Sequence, residues 1–251
     1  MVIFLFTDFG HDGPYVGQMH AVLVQQARNM PVIDLMHDAP AHDPRASAYL
    51  LAALAADFPE RSVCCAVVDP GVGTARLPVV VEADRRWFVG PGNGLFELVQ
   101  RRARTCRDWR IRWRPEKLSQ SFHGRDLFAP VAARIASAGI PPADWLDSAA
   151  GEKPGDRPGA TWPDDLAEVI YADRFGNLMT GLRSEKIGAA TVLRVNGHAV
   201  RHARIFGAAP VGEPFWYGNS SGLVEIAAPG ASAADMLGGA TGSVIGLESQ
   251  G

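Results

Sequence analysis

Short apolar runs alternate with helical patterns along the first third of the chain. The runs Val2–Phe6, Val32–Met36 and Val63–Val68 predict buried strands, and each run ends on a polar turn that carries an aspartate. A helical period of apolar residues follows the first run, and Asp43 before Pro44 predicts a capped helix after the second. Strands of this kind in succession predict a parallel sheet with helices on both sides.

The middle of the chain continues this pattern less regularly. Pro78–Glu82 and Trp87–Val89 predict the two strands of a hairpin. A glycine-rich turn then leads to a predicted helix at Leu95, and a further helical pattern covers 127–138. We assign these elements to an α/β domain at residues 1–150.

The second half of the chain has a different pattern. Residues 139–165 are rich in Pro, Gly and Asp and lack apolar periodicity, so we expect a linker at 151–165. Beyond it, short strands separated by turn residues predict a small β-barrel domain at 166–251, in which Asn196–Gly197 is a strong hairpin signal. The predicted strands are Val169–Tyr171, Val192–Val195, Ala199–Arg204, Phe215–Tyr217, Leu223–Ala227 and Ser243–Leu247.

Composition and charge limit the kinds of binding partner and the cellular location that we expect for this protein. The 251 residues carry a net charge of −3, which gives no general attraction to nucleic acid. Residues 101–114 are locally basic, but we interpret them as a helix end and an edge strand with a solvated face. The three cysteines make no disulfide framework, and no apolar run has membrane-spanning length or signal-peptide form. We therefore expect a cytoplasmic protein without a nucleic-acid or membrane partner.

Four side chains with catalytic potential lie in turns from separate segments. Asp8, Asp69, Arg76 and His123 all fall where a parallel sheet would present its carboxyl edge, and the glycines after Asp69 leave room for a ligand. Aspartates at strand ends often only cap the next turn, and His123 could equally be a helix-start residue. From spacing alone, a structural and a functional role remain equally open.

Further motifs favour the functional interpretation. The chain resembles the S-adenosylmethionine hydroxide adenosyltransferases, which are adenosine-forming hydrolases related to fluorinating and chlorinating enzymes of the same fold. The resemblance covers nearly the whole chain in the right order. It rests on TDFG at 7–10, VDPGVGT at 68–74 with Arg76, PGNG at 91–94, FHGRD at 122–126, DRFGN at 173–177 and NSSGLVEIA at 219–227.

The resemblance implies an amino-terminal α/β domain, a carboxyl-terminal β-barrel and a homotrimer that holds substrate between one subunit's first domain and its neighbour's second. S-adenosyl-L-methionine would be the substrate, with no cofactor and no metal. Asp69, Arg76 and His123 match the positions that prepare the attacking water, and Asp8 matches the carboxylate that holds the ribose hydroxyls.

The remaining implied positions bind substrate. Asp173 and Asn177 match the positions that receive the methionine ammonium and neighbouring groups. Asn219, Ser220 and Ser221 match the stretch that binds adenine and the methionine carboxylate. The implied substrate-binding set is completed by Phe122, Phe175 and Glu225. The chain departs from the family pattern at Gly13, where an aspartate is usual, and at His42, where an aromatic wall residue is usual.

The implied chemistry suits these residue types. Attack on the ribose C5′ of a sulfonium expels a neutral thioether, so the reaction needs an aimed hydroxide and no general acid. A carboxylate at position 69 would repel a halide nucleophile by at least ~1 kcal/mol. The extra loop of the fluorinating relatives is absent from the sequence. Hydrolysis is therefore favoured over the alternative of a halide-using transferase of the same fold.

Two alternatives from other classes remain at this stage. A metal-dependent hydrolase could use acidic and histidine ligands, although no histidine pair has the spacing of a helical metal motif. A non-catalytic module could bind S-adenosylmethionine or a nucleoside without turnover, in which case Asp69, Arg76 and His123 would be idle. The metal alternative would draw on Asp8, His11, Asp12, His37, His42 and Asp69.

Overall fold

The structure, a computed structural model, describes residues 1–148 and 156–248. The chain divides into two compact units, Met1–Thr161 and Trp162–Gly251. Part of the predicted linker, residues 151–155, lies outside the described residues, as do positions 149–150 of the predicted first domain and 249–251 of the predicted barrel domain.

The first unit contains a seven-stranded mixed sheet with helices packed on it. Its strand order is β2-β1-β3-β5-β4-β6-β7; the pairings among β2, β1, β3 and β5 are parallel, and the remaining pairings are antiparallel. The elements are β1 (Ile3–Thr7), α1 (Tyr15–Gln26), β2 (Val32–Met36), α2 (Pro44–Leu54), β3 (Val63–Val67), β4 (Pro78–Ala83), β5 (Arg86–Pro91), α3 (Glu97–Arg102), β6 (Cys106–Ile111), a π-helical turn (Gly124–Phe128), α4 (Ala129–Ala138) and β7 (Leu146–Ser148).

Local sequence signals explain several of these boundaries. The carboxylate of Asp43 accepts a hydrogen bond from the Ala46 N–H at 3.0 Å, which confirms the predicted cap of α2. Helix α4 ends at Ala138 and is capped by Gly139, whose φ of +85° favours glycine. Strands β1 and β3 are buried throughout, because α4 and its neighbours cover them with residues such as Phe128. The position of these buried strands determines where the polar turns that follow them lie, at the carboxyl edge of the sheet.

The prediction that the basic stretch ends in an edge strand is wrong. Strand β6 lies inside the sheet, because the short strand β7 pairs along its outer side from Ile111↔Leu146 to Trp109↔Ser148. A three-residue strand more than thirty positions away leaves no apolar pattern that sequence reasoning could detect.

The second unit is a barrel-like sheet with the order β14-β10-β11-β12-β13-β9-β8. Its two ends approach each other, because the Val169 N–H donates to the Ser243 carbonyl and the Gly242 N–H to the Val169 carbonyl, both at 2.8 Å. The predicted fold class is thus confirmed. The elements are β8 (Leu166–Ala172), β9 (Leu178–Arg183), β10 (Val192–Val195), β11 (His198–His202), β12 (Phe215–Gly218), β13 (Leu223–Ala227), α5 (Ala233–Leu237) and β14 (Ile245–Glu248).

One strand of the barrel was not predicted. Strand β9 contains Gly181, which interrupts the apolar pattern, yet a Cβ there would lie 2.6 Å from the Leu166 Cβ on strand β8. The predicted hairpin at Asn196–Gly197 is confirmed, and both residues have positive φ, as a tight turn between β10 and β11 requires. No helix within residues 1–148 and 156–248 is long and apolar enough to cross a membrane.

Candidate active site

A cavity of about 280 Å³ lies in the first unit, where the neighbouring parallel strands β1 and β3 end. Parallel strands present their carboxyl ends on one edge, so turns that are distant in sequence meet there. Four of the sequence-predicted positions, Asp8, Asp69, Phe122 and His123, line this cavity together. The other lining residues are Phe9, Tyr15, His42, Val67, Val72, Ser121 and Gly124.

Arg76 joins the two reactive groups of this cavity. Its Nε donates to Asp69 Oδ1 at 3.1 Å, and its Nη2 donates both to Asp69 Oδ2 and, at 3.1 Å, to His123 Nδ1. The side chains of Asp69 and Arg76 are only 4% and 7% exposed. A buried carboxylate is tolerated because the guanidinium pairs with both of its oxygens. The guanidinium also lies over the Phe128 ring, 5.3 Å from its centroid.

This contact fixes the proton position on His123. An arginine N–H can only donate, so Nδ1 of the neutral ring must accept and Nε2 must carry the proton. Burial lowers the pKa of His123, the positive charge of Arg76 lowers it further, and the carboxylate of Asp69 acts in the opposite direction. His123 is therefore held as a neutral ring with one N–H to donate.

Local hydrogen bonds shape the turn that carries Asp69. The Thr74 hydroxyl donates to the Gly71 carbonyl at 2.6 Å and accepts from the Arg76 N–H at 3.3 Å. Gly73 has a φ of +77°, and a Cβ there would lie 2.6 Å from the Gln120 carbonyl oxygen. Glycine thus lets this turn approach the segment that leads to His123. The Asn93 amide, from the PGNG motif, donates to the Val68 carbonyl at 2.9 Å.

Three aromatic rings form one wall of the cavity. Phe9, Tyr15 and Phe122 contact one another with ring centroids 5.3 to 5.8 Å apart. A Cβ on Gly124 would lie 3.1 Å from the Phe122 ring and 3.3 Å from that of Phe9, so glycine allows this packing. Sequence reasoning predicted Phe122 but missed Phe9 and Tyr15. The available signal was that Phe9 lies within the TDFG motif and that Tyr15 directly follows Pro14.

Asp8 has a different environment from Asp69. It is half-buried, and its Oδ2 accepts a hydrogen bond from the backbone N–H of His42 at 3.0 Å. His42 has a φ of +58°, which aims this N–H at the carboxylate. An aspartate held by a single backbone donor keeps lone pairs for hydroxyl groups of a ligand. His42, one of the two departures from the pattern of the resembled family, lines the cavity.

The second unit holds the other predicted residues in two self-contained loops. Asp173 Oδ1 accepts from the N–H groups of Phe175 and Asn177 at 2.8 and 2.9 Å, and its Oδ2 accepts from the Asn177 side-chain amide at 2.9 Å. These three residues line a cavity of about 730 Å³ with Phe206, Tyr217 and Ser232 among others. Phe206, Tyr217 and Ser232 were not predicted from the sequence.

The loop at 219–222 is fixed by a buried carboxylate. Glu225 is 4% exposed; its oxygens accept from the Tyr217 hydroxyl at 2.5 Å and the Asn219 amide at 2.9 Å. Asn219 Oδ1 accepts from the N–H groups of Ser221 and Leu223, both at 3.0 Å. Asn219, Ser220, Ser221 and Glu225 do not line the cavity that holds Asp173. The geometry of Glu225 suits a residue that orients Asn219.

The structure does not support the metal alternative. Among residues 1–148 and 156–248, no group of three or more His, Cys, Asp or Glu side chains is arranged to hold a metal ion. Asp69 is paired with Arg76, and His37 contacts Thr7 and Asp34.

Solved structures share the overall fold. A protein from Thermotoga maritima, described as an uncharacterized conserved protein, superposes with a TM-score of 0.85 at 28% identity, over 99% of this chain and 100% of that one. A conserved hypothetical protein from Thermus thermophilus superposes with a TM-score of 0.75 at 35% identity, over 98% and 99% of the two chains.

Sequence comparison identifies the family. An (R)-S-adenosyl-L-methionine hydrolase from Thermus thermophilus is 40% identical over 94% of this chain and 95% of its own. One of the same name from Salinispora arenicola is 39% identical over 92% and 91%. Residues 3–144 match the SAM hydroxide adenosyltransferase N-terminal domain and residues 167–246 the C-terminal domain of that family. The chain therefore belongs to the SAM hydroxide adenosyltransferase family.

Proposed function

We propose that the protein hydrolyses S-adenosyl-L-methionine to adenosine and L-methionine by attack of water on the ribose C5′. Oxygen bonds to C5′, the C5′–S bond breaks with its electron pair leaving on sulfur, and one proton is released. The family membership and the names of the relatives support the substrate and the reaction. The observation that carries the proposal is the Asp69–Arg76–His123 set, in which a buried Arg76–Asp69 pair contacts His123 and both Asp69 and His123 line a cavity together with Asp8.

The roles follow from the hydrogen-bond directions. Asp69 lines the cavity, and each of its oxygens keeps a second lone pair beyond its bond to Arg76, so it can accept a proton from a bound water. His123 can donate from Nε2 to the oxygen of that water, which holds it in place and stabilises the negative charge that develops. Arg76 holds both groups in place through its hydrogen bonds.

The cavity walls suit the rest of the substrate. Asp8 would accept hydrogen bonds from the two ribose hydroxyls, and the rings of Phe9, Tyr15 and Phe122 would exclude bulk water. When the proton of the attacking water passes to Asp69, a carboxylate and a sulfonium are both converted to neutral groups, so removal of bulk water favours this step. The carboxylate of Asp69 in the cavity disfavours a halide at the same place.

The second unit would bind the adenine and methionine ends through the loops that contain Asp173 and Asn219, with Glu225 in a positioning role. We further propose a homotrimer in which one subunit's first unit and a neighbour's second complete the binding site. Light scattering coupled to size exclusion tests this assembly: a threefold mass supports it and a monomer contradicts it. The cytoplasmic location stays a prediction.

Turnover is tested with the purified full chain and both sulfur epimers of S-adenosylmethionine, because the named relatives carry the (R) designation. We expect equal amounts of adenosine and methionine, detected by chromatography, and about 10³-fold slower formation of both with Asp69→Asn. Binding without products would favour the non-catalytic module. Loss of activity with a chelator, restored by a metal, would favour the metal-dependent hydrolase.

A further inference from the structure

We propose that Thr7, His37 and Asp34 form a hydrogen-bond relay that positions Asp8 for the ribose hydroxyls. The relay rests on the proposed function, because it gives Asp8 its binding role. None of its three members lines the cavity. They would act on the substrate only through the turn that carries Asp8.

The relay runs from the end of β1 to the surface of the unit. The Thr7 hydroxyl lies 2.8 Å from His37 Nδ1, and His37 Nε2 lies 2.9 Å from Asp34 Oδ1. Thr7 and His37 are completely buried, whereas the side chain of Asp34 is 45% exposed. A second imidazole, that of His20 on helix α1, contacts the same Asp34 oxygen at 2.7 Å.

The carboxylate sets the direction of each hydrogen bond. Asp34 can only accept while it is ionised, so Nε2 of His37 carries a proton, and in the ring tautomer that carries this proton alone Nδ1 accepts. The Thr7 hydroxyl must then donate to Nδ1, which leaves its lone pairs for the Phe9 N–H, 3.3 Å away. Every buried polar atom of this relay is thus used, as a low-dielectric interior demands.

The relay holds the backbone on both sides of Asp8 in place. Thr7 precedes Asp8 and Phe9 follows it, and the Thr7 hydroxyl bridges them by accepting the Phe9 N–H. The His37 carbonyl accepts the Gly10 N–H at 2.7 Å, and the Thr7 carbonyl accepts the Ala39 N–H at 3.1 Å. The turn that carries Asp8 is therefore tied to the end of β2 through the side chain and the backbone of His37.

The experiment compares binding of adenosine and 2′,3′-dideoxyadenosine by calorimetry, using the full chain. Thr7→Val keeps the shape of the side chain and removes the hydroxyl. We expect it to weaken adenosine binding about tenfold, the size of one lost hydrogen bond, and to leave the dideoxy ligand nearly unchanged. Thr7→Ser, which restores the hydroxyl, should recover the preference for adenosine.

A surface variant tests the far end of the relay without altering the core. Asp34→Ala should reduce the preference for adenosine about threefold, because His37 then loses the partner that fixes its proton. Ile33→Ala, its exposed neighbour on β2, is the matched control and should keep the wild-type preference. Should Thr7→Val not fold, Asp34→Ala decides alone.

The experiment distinguishes failure of the relay from failure of the proposed ribose-binding role of Asp8. Equal weakening of both ligands by Thr7→Val, or no weakening of either, would overturn the relay as a positioning device. If Asp8→Asn abolishes the preference for adenosine while the relay variants keep it, only the relay is wrong. If the wild-type protein shows no preference, the ribose-binding role of Asp8 is wrong and the relay falls with it. Turnover of S-adenosylmethionine is measured separately on the same preparations.

Discussion

The two units hold their polar side chains in opposite ways. In the first unit, Asp69 and His123 come from distant segments and are joined by a buried guanidinium. In the second unit, Asp173 accepts hydrogen bonds from the N–H groups of its own loop, two and four residues ahead. One site is a charged set assembled over long range, and the other is a local turn.

This difference separates the residues that we propose to act on the reacting atoms from those that we propose only to bind the substrate. A buried ion pair is costly to desolvate, and replacement of one partner leaves the other charge unpaired. Such an arrangement is expected where charge must act on a reacting atom in a dry cavity. A loop closed by its own carboxylate instead presents a fixed surface to a ligand. Substitutions in the Asp69–Arg76–His123 set should therefore lower kcat, and substitutions in the loops of the second unit should raise KM.

The largest expected effect is that of Asp69→Asn. The amide cannot accept the proton of the attacking water and leaves the charge of Arg76 unpaired, so kcat should fall about 10³-fold. Adenosine binding should change little, because the ribose hydroxyls are assigned to Asp8. Steady-state kinetics and calorimetry on the same preparation check both parts. Wild-type kcat in this variant would remove Asp69 from the mechanism.

The next effect is the pH dependence of kcat. Protonated His123 would turn a second donor toward Arg76 Nη2 and lose the arrangement described above. Because burial and Arg76 lower its pKa, kcat should stay level through neutral pH and fall only below the usual histidine value of about 6.5. At pH values below the lowered pKa of His123, kcat should fall by up to about tenfold per pH unit. The pH profile of kcat for His123→Gln should lack this acidic fall. If kcat of the wild type fell with a midpoint above pH 7, the fall could not be assigned to His123.

A moderate effect is expected for Asp173→Ala in the second unit. Loss of the carboxylate frees the N–H groups of Phe175 and Asn177 and loosens the loop, so KM should rise about tenfold with kcat nearly unchanged. The exposed Glu185→Ala serves as a control in the same unit and should match the wild type. A drop in kcat as large as that of Asp69→Asn would erase the distinction between the units.

The smallest effect on activity should come from Tyr217→Phe. Burial raises the pKa of Tyr217, and its hydrogen bond to Glu225 raises it further, so the hydroxyl stays protonated and donates to that buried carboxylate. Its loss should destabilise the protein by about 1 kcal/mol, visible as a lower Tm, while KM changes by less than about threefold. If KM instead rose more than in Asp173→Ala, Tyr217 would contact substrate directly.

The same contrast explains what the sequence could predict. Asp43 with Pro44, the turn at Asn196–Gly197 and the loop 173–177 depend on residues within a few positions of one another, so their patterns are visible in the chain. Strand β9 was missed because a glycine needed for packing against Leu166 breaks its apolar pattern.

The long-range contacts had no such signal. His123 lies 47 positions from Arg76 and His37 lies 30 from Thr7, so only the fold brings each pair together. The motifs predicted that Asp69, Arg76 and His123 act as a set. They did not indicate that Arg76 contacts both partners, nor that Phe9 and Tyr15 complete the wall.

The most direct test of the central claim is a turnover measurement in water enriched in oxygen-18. Mass spectrometry of the adenosine should find one oxygen-18 atom, located in the 5′ hydroxyl, because the attacking water supplies that oxygen. Methionine should carry none. Adenosine formed without the label, or label found in methionine instead, would contradict attack of water on C5′.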